Sequence, residues 1–434
     1  MLKNLIFISI FCISLAGYGQ QYPSLDTLNF ELREKLIKDY EGSNKLLYKK
    51  LKKSHRGKLR KEIIHIYTRS NEEFLKNIRK KRFIFDTRFT TYIDSLITAL
   101  KNANPRLAKK DLKVYVSKHT SINAMSIGNG HFIMHLGLFK YLENEGQFAS
   151  ILAHEIAHGE LNHVEQSILH QAELGSSKVR RLQAREIKRQ KYNQYDKSFN
   201  ILKNIMYNDS KKRRRREMLA DSIGYVLYKN TGFEKISFIN SLKLMEKYDS
   251  LPTISLDSTV YKQFFDLEDQ PFKEEWLNME EFSNYDYSKY KDKINKDSIK
   301  SHPEARQRIE KLANDFAELQ GDEKATPKEQ STFKKLQQIA RQEDIATLYY
   351  LEKYGFSIQL ILFKLAKNPD DSYLKKWLGL NFLALYEAKK KYQLNRHVDR
   401  IIPKDQSRNY QQFLNFIWNL RLNELKAIGE YYSK

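Results

Sequence analysis

Apolar positions along the 434-residue chain follow two alternating periodicities. From Leu25 to about Arg82 the sequence is lysine-rich, and Leu28, Leu32, Leu36 and Tyr40 recur at the spacing of one helical face. This predicts an N-terminal helical extension over residues 20–82. At Leu112, Val114 and Val116 the period drops to two, and two further alternating segments follow, Ile122 to Ser126 and His131 to Leu136. Gly128-Asn129-Gly130 lies between them and supplies residues that tolerate positive φ, so a hairpin is predicted there. After Gly137 the pattern is helical again, and Glu145 to about Glu173 reads as one long helix.

Residues 178–216 read as a basic helical insert, with Ile201, Leu202, Ile205 and Met206 as an apolar stripe and Lys211-Lys212-Arg213-Arg214-Arg215-Arg216 at its end. Helical pattern continues through Glu217 to Tyr248 and Glu304 to Glu318. The polar segment 321–330, with Pro327 inside it, predicts a linker. Beyond it, Ile345 to Tyr354, Ser357 to Lys367 and Ser372 to Lys391 read as consecutive helices broken by Gly355 and by Asn368-Pro369-Asp370-Asp371. They weakly resemble tetratricopeptide repeats, and a single degenerate repeat or a plain helical bundle fits equally. The expected fold class is α+β: mainly α with a small β-hairpin or sheet. The expected units are a domain over 83–320, the linker 321–330 and a C-terminal helical domain over 331–434.

Composition adds a compartment and a field. A hydrophobic fraction of 41% with 12% aromatic residues describes a folded chain. Lys3, the apolar run Leu5 to Ala16 and Gly17-Tyr18-Gly19 have the layout of a signal peptide, so residues 1–19 are expected to be removed and the protein exported to the periplasm or cell envelope. A run of about 12 apolar residues is short of the roughly 20 that span a bilayer, and no later stretch supplies a transmembrane helix. The only cysteine, Cys12, lies in that leader, so the mature chain has no disulfides, thiolate ligands or cysteine nucleophile. The net charge of +23, from 76 basic against 53 acidic residues, favours anionic partners. In an exported protein this points to an anionic envelope surface or an acidic substrate rather than nucleic acid, for which no recognition module is present. The run Lys211 to Arg216 is expected as a solvated loop, although its place immediately before Glu217 leaves open a role in holding anionic substrate.

The chemistry concentrates in His154-Glu155-Ile156-Ala157-His158. On a helix the two histidines lie about 40° apart and one turn apart in height, so both imidazoles can meet one zinc ion. Glu155 can then reach a water at the metal without ligating it. A catalytic zinc usually has a third protein ligand and an open position. The metzincin pattern fails, because Leu161 and Val164 stand where its glycine and third histidine belong, and Lys178 stands where a thermolysin-like glutamate would be. His163 is about 180° around the helix from His154 and reaches the metal only if the helix breaks, for instance at Gly159; otherwise it supports the site. Glu217-Met218-Leu219-Ala220-Asp221 offers Glu217 as the third ligand and Asp221, one turn on, as an acceptor for a ligand histidine. Glu217 also reads as a helix-start carboxylate beside six basic residues.

Together these two motifs resemble the zinc peptidase family of the HtpX heat-shock proteases and CAAX prenyl endopeptidases, in which an HExxH helix is followed by an ExxAD or ExxxD helix. Asn123-Ala124, His163, Gly232-Phe233, His302-Pro303 and Arg308-Ile309 extend the resemblance over about Phe85 to Leu312. It implies a zincin-type metallopeptidase core with one zinc per chain, and it nominates His302 or Arg308 as an oxyanion donor, with His302 alternatively capping the zinc. Those relatives are integral membrane enzymes, so this chain resembles the soluble periplasmic branch, which implies unfolded or misfolded envelope proteins as substrates. The expected function is therefore an exported zinc endopeptidase with Glu155 as general base. The alternative is a non-catalytic envelope chaperone or scaffold that uses the basic surface and helical tail.

Overall fold

The computed structural model describes residues 25, 28–177, 194–249, 254–279, 305–320, 331–402 and 406–434. The expected signal peptide, residues 178–193 of the basic insert, His302 and the expected linker 321–330 lie outside the described residues. The first helices among the described residues are α1 (Phe30–Ser54) and α2 (Gly57–Arg79), whose facing stripes bury Ile37, Tyr40 and Leu51 against Ile63, Tyr67, Phe74 and Ile78. The Tyr40 hydroxyl donates to Asn71 Oδ1 at 2.8 Å, giving a buried amide its partner. The expected stripe is buried only in its second half: Leu36 and Tyr40 pack with Ile37 on the core, whereas Leu28, before α1, and Leu32 are exposed.

A small sheet follows, formed by β1 (Phe83–Ile84), β2 (Lys113–Ser117), β3 (Ala124–Gly128) and β4 (His131–His135), with α3 (Thr87–Ala103) between the first two strands. The spatial order is β1-β2-β4-β3; β2 and β4 run parallel and the other neighbours antiparallel. The hairpin between β3 and β4 turns through Asn129 at φ 52° and Gly130 at φ 77°. A Cβ on Gly130 would sit 2.3 Å from the Asp111 carbonyl oxygen, so only glycine fits. This connection leaves β3 at the edge of the sheet.

Helices α4 (Leu136–Tyr141), α5 (Glu145–Glu160), α6 (His163–Ser176), α7 (Gln194–Tyr228), α8 (Ser237–Asp249), α9 (Thr259–Phe265) and α10 (Ala305–Asp315) come next; Lys211 to Arg216, expected as a loop, and Glu217, which also read as a helix start, lie inside α7. The single helix expected from Glu145 to Glu173 is two helices. Asn162 at φ 53° ends the first, its backbone N–H donating to the Gly159 carbonyl at 3.1 Å. Asparagine is one of the few side chains that enter the left-handed region at low cost, which is why the break falls there and not at Gly159. Phe89, Leu96, Phe132, Phe139, Phe148, Leu152, Tyr225, Tyr228 and Leu312 form the core that joins α3, the sheet, α5, α7 and α10.

The C-terminal part comprises α11 (Ser331–Gln342), α12 (Asp344–Tyr350), α13 (Tyr354–Leu365), α14 (Ser372–Lys390), α15 (Arg408–Asn419) and α16 (Leu422–Tyr432). Gly355 lies inside α13 and is not the break; the chain turns before it, at Glu352 with φ 61°. Apolar packing crosses the expected domain boundaries. Phe333, Leu336 and Ile339 of α11 belong to the first core, whereas Val260, Phe264, Phe265 and Trp276 pack with Ile358, Phe382 and Phe416 in a second core. A buried ion pair, Lys140 Nζ to Asp344 Oδ2 at 2.5 Å, ties α4 to α12. Among the described residues no helix is long and apolar enough to cross a membrane. The protein is α+β, mainly helical around one small mixed sheet.

Candidate metal centre

Helix α5 is set by a cap and a core. The Asn144 side chain accepts the Gln147 N–H at 2.9 Å, and Phe148, Leu152 and Ile156 bury its apolar face. The opposite face turns His154, Glu155 and His158 toward a cavity of about 570 Å³. Helix α7 crosses beside it and presents Glu217 and Asp221 to the same space. The close crossing depends on Gly224, where a Cβ would lie 2.9 Å from His154 Cα and 3.1 Å from its backbone nitrogen. Gly224→Ala is therefore expected to force the helices apart, costing about 1–3 kcal/mol as overpacking does. Urea denaturation beside a zinc titration checks this; unchanged values in both would refute the crossing as a requirement.

Three donors converge. His154 Nε2 lies 3.0 Å from His158 Nε2, 3.5 Å separates His154 Nε2 from Glu217 Oε2, and 3.6 Å separates His158 Nε2 from Glu217 Oε1. Ligands held about 2.0–2.1 Å from a tetrahedral zinc stand about 3.3 Å from one another, so the spacing of this His-His-Glu set fits the ion. Donor atoms of the three residues all fall within 4.8 Å of one another. Glu155 lines the cavity without belonging to this donor set.

Behind the donors, further contacts orient the rings. His154 Nδ1 lies 2.9 Å from Asp221 Oδ1. Arg308, arriving on α10, grips the same carboxylate with Nε to Oδ2 at 2.7 Å and Nη2 to Oδ1 at 2.6 Å. Burial works against the Asp221 carboxylate, but Arg308 and His154 outweigh it and hold its pKa down at about 2. Burial also opposes a charged His154, yet Asp221 and Glu217 raise it to about 10. His163 was expected either to support the site or, if the helix broke, to reach the metal. The helix does break, at Asn162, and His163 Nδ1 then meets His158 Nδ1 at 2.9 Å, behind the ligand. Burial, His158 and Arg216 push His163 down to about 4, leaving a neutral ring whose Nδ1 can accept a hydrogen bond from His158.

Arg308 was expected as an oxyanion donor. Its guanidinium is closed on Asp221 and buried, so the geometry makes it a support of the ligand shell. The signal that sequence reasoning missed was the pairing of a late arginine with the aspartate of the ExxAD helix. Two cavity walls were also missed: Ile66 and Ser70 from α2, and Phe238, Leu242 and Met245 from α8.

A helix bearing the two histidines and the intervening glutamate, completed by a glutamate from a second helix, defines a metallopeptidase. Residues 88–315, more than half of the chain, match peptidase family M48, and the chain belongs to that family. The family resemblance read from the two motifs holds at this level. A stretch of 91 residues is 34% identical to the beta-barrel assembly-enhancing protease of Yersinia pestis, covering 21% of this chain and 18% of that protein. Another of 82 residues is 35% identical to the beta-barrel assembly-enhancing protease of Escherichia coli strain K12, covering 19% and 16%. The match thus spans under a fifth of the length of these curated relatives.

Proposed function

We propose that the protein is an exported zinc endopeptidase that cleaves misfolded or unassembled proteins of the cell envelope. The convergence of His154, His158 and Glu217 at tetrahedral spacing carries this reading. Support for the substrate comes from the name shared by the relatives and from the signal-peptide layout of residues 1–19. The expected units, an extension over 20–82, a peptidase domain over 83–320, a linker over 321–330 and a helical tail over 331–434, belong to the same proposal as segments of the sequence, with the two apolar cores each drawing on both sides of the linker.

Zinc held by the three donors would polarise the scissile carbonyl and acidify the attacking water. Glu155 takes the proton from that water and delivers it to the leaving amine. His154 and His158 would hold the metal through Nε2, with Asp221 Oδ1 2.9 Å behind His154 Nδ1 and His163 Nδ1 2.9 Å behind His158 Nδ1 to orient the two rings. Arg308 keeps Asp221 ionised for that task. Strand β3 pairs with β4 on one side, while Asn123, Ala124, Met125 and Ser126 line the cavity. An extended peptide can add to that edge through main-chain hydrogen bonds, which favours unfolded segments over a side-chain motif.

The test is direct. Purified protein should contain about one zinc per chain and degrade casein. Chelation should abolish cleavage, and added zinc should restore it. Full cleavage in metal-stripped protein would overturn the reading.

A further inference from the structure

The cavity is chemically graded along the antiparallel pair of α7 with α5 and α6. Asp221 stands beside His154 and Glu217 beside His158; Arg216 Nη1 then donates to Ser167 Oγ of α6 at 2.5 Å, and Asp209 approaches His170 at 3.1 Å. Moving toward the start of α7 therefore leads away from the metal donors along α6. Arg213 and Arg216 line the cavity on this side, opposite Ser167 and Gln171. Beyond Asp221 the wall is apolar, with Phe238, Leu242 and Met245.

The cavity carboxylates are already engaged. Glu217 belongs to the donor set, Glu155 serves the proton transfer proposed above, and Asp221 is closed on Arg308. Arg213 donates to the backbone oxygen of Asp209 at 3.4 Å and Arg216 to the Ser167 hydroxyl, both neutral acceptors, while the Asp209 carboxylate attracts Arg216 through space. The nearby Asp209 carboxylate faces His170. The basic end thus presents two guanidinium groups to whatever enters the cleft.

We infer that Arg213 and Arg216 form a subsite for a carboxylate of the substrate, so that the enzyme selects peptides with an acidic group on one side of the cleaved bond. This rests on the endopeptidase reading. The sequence step from Glu217 to Arg213 is one helical turn, about 6 Å. An extended peptide advances about 3.3 Å per residue. The acidic group therefore falls roughly two residues from the scissile bond. Arginine suits the role, since its planar fork matches a carboxylate in two-point contact.

The experiment uses zinc-loaded, full-length protein and peptides that differ only in Glu or Gln two residues from the cleaved bond, tested on each side in turn. The Glu peptide should have kcat/KM roughly 10- to 100-fold higher on one side, the range expected for charge-assisted hydrogen bonds. The preference should shrink in high salt. Arg213→Gln with Arg216→Gln should bring the ratio close to one, and Arg213→Glu should turn the preference toward a Lys peptide, a reversal that mere structural damage does not produce. Matched peptides ending in a free or amidated C-terminus separate an internal acidic side chain from a terminal carboxylate. Equal kcat/KM for all members, cleaved by wild type and not by Glu155→Gln, would overturn the subsite alone. If wild type cleaves none of them, the endopeptidase reading fails, and peptide binding to zinc-loaded Glu155→Gln, followed by fluorescence anisotropy, decides the subsite by itself: tighter binding of the acidic peptide supports it and equal binding overturns it.

Discussion

Glu155→Gln is expected to retain zinc at the wild-type ratio while losing peptide cleavage by roughly 10²–10⁴-fold, the range for removal of a positioned general base. The carboxamide has almost the same shape, so the buried position should tolerate it, and the donor triad is untouched. What disappears is the ability to take a proton from the attacking water. Casein hydrolysis measured beside metal content and thermal unfolding separates these effects. Cleavage within tenfold of wild type would assign the base to another residue.

Asp221→Ala should do more damage to the fold. It leaves Arg308 buried without its counter-ion, a change that costs about 3–5 kcal/mol for a buried pair. It also frees His154 Nδ1, and loss of such an orienting partner lowers metal affinity about 10- to 100-fold. Replacing both members, Asp221→Leu with Arg308→Met, should recover most of the stability, because an apolar pair of similar volume often replaces a buried ion pair without loss. It should not recover the metal affinity. Urea denaturation and zinc titration of the three variants distinguish this from a purely structural pair, for which both properties would return together. The acid limb has a defined sign as well. Asp221 titrates below its ordinary 3.8, at about 2, so its contribution is complete above about pH 4 and is lost as pH falls through about 2.

Local periodicity made the chemical half of the site legible. His154 and His158 share a face because four residues make about one turn, and Glu217 and Asp221 repeat the same arithmetic on α7. The hairpin was legible for a similar reason, since Asn129-Gly130 states its turn geometry outright. What the pattern could not supply was tertiary. The break at Asn162 depends on one residue in the left-handed region and leaves no periodic trace. How far the expected stripe of α1 is buried was decided by α2, which covers Leu36 and Tyr40 and leaves Leu32 in solvent. Residues Val260 to Trp276 look like any amphipathic stretch, and only the second core shows that they pack with the C-terminal helices.

The clasp between Arg308 and Asp221 joins positions 87 residues apart. In a chain folding from its N-terminus, α5 and α7 can meet well before α10 has been made. Until α10 docks, Asp221 lacks its cation and His154 its firm hold. The setting of the metal donors is therefore shared between parts of the chain far apart in sequence, and neither α5 nor α7 completes it alone.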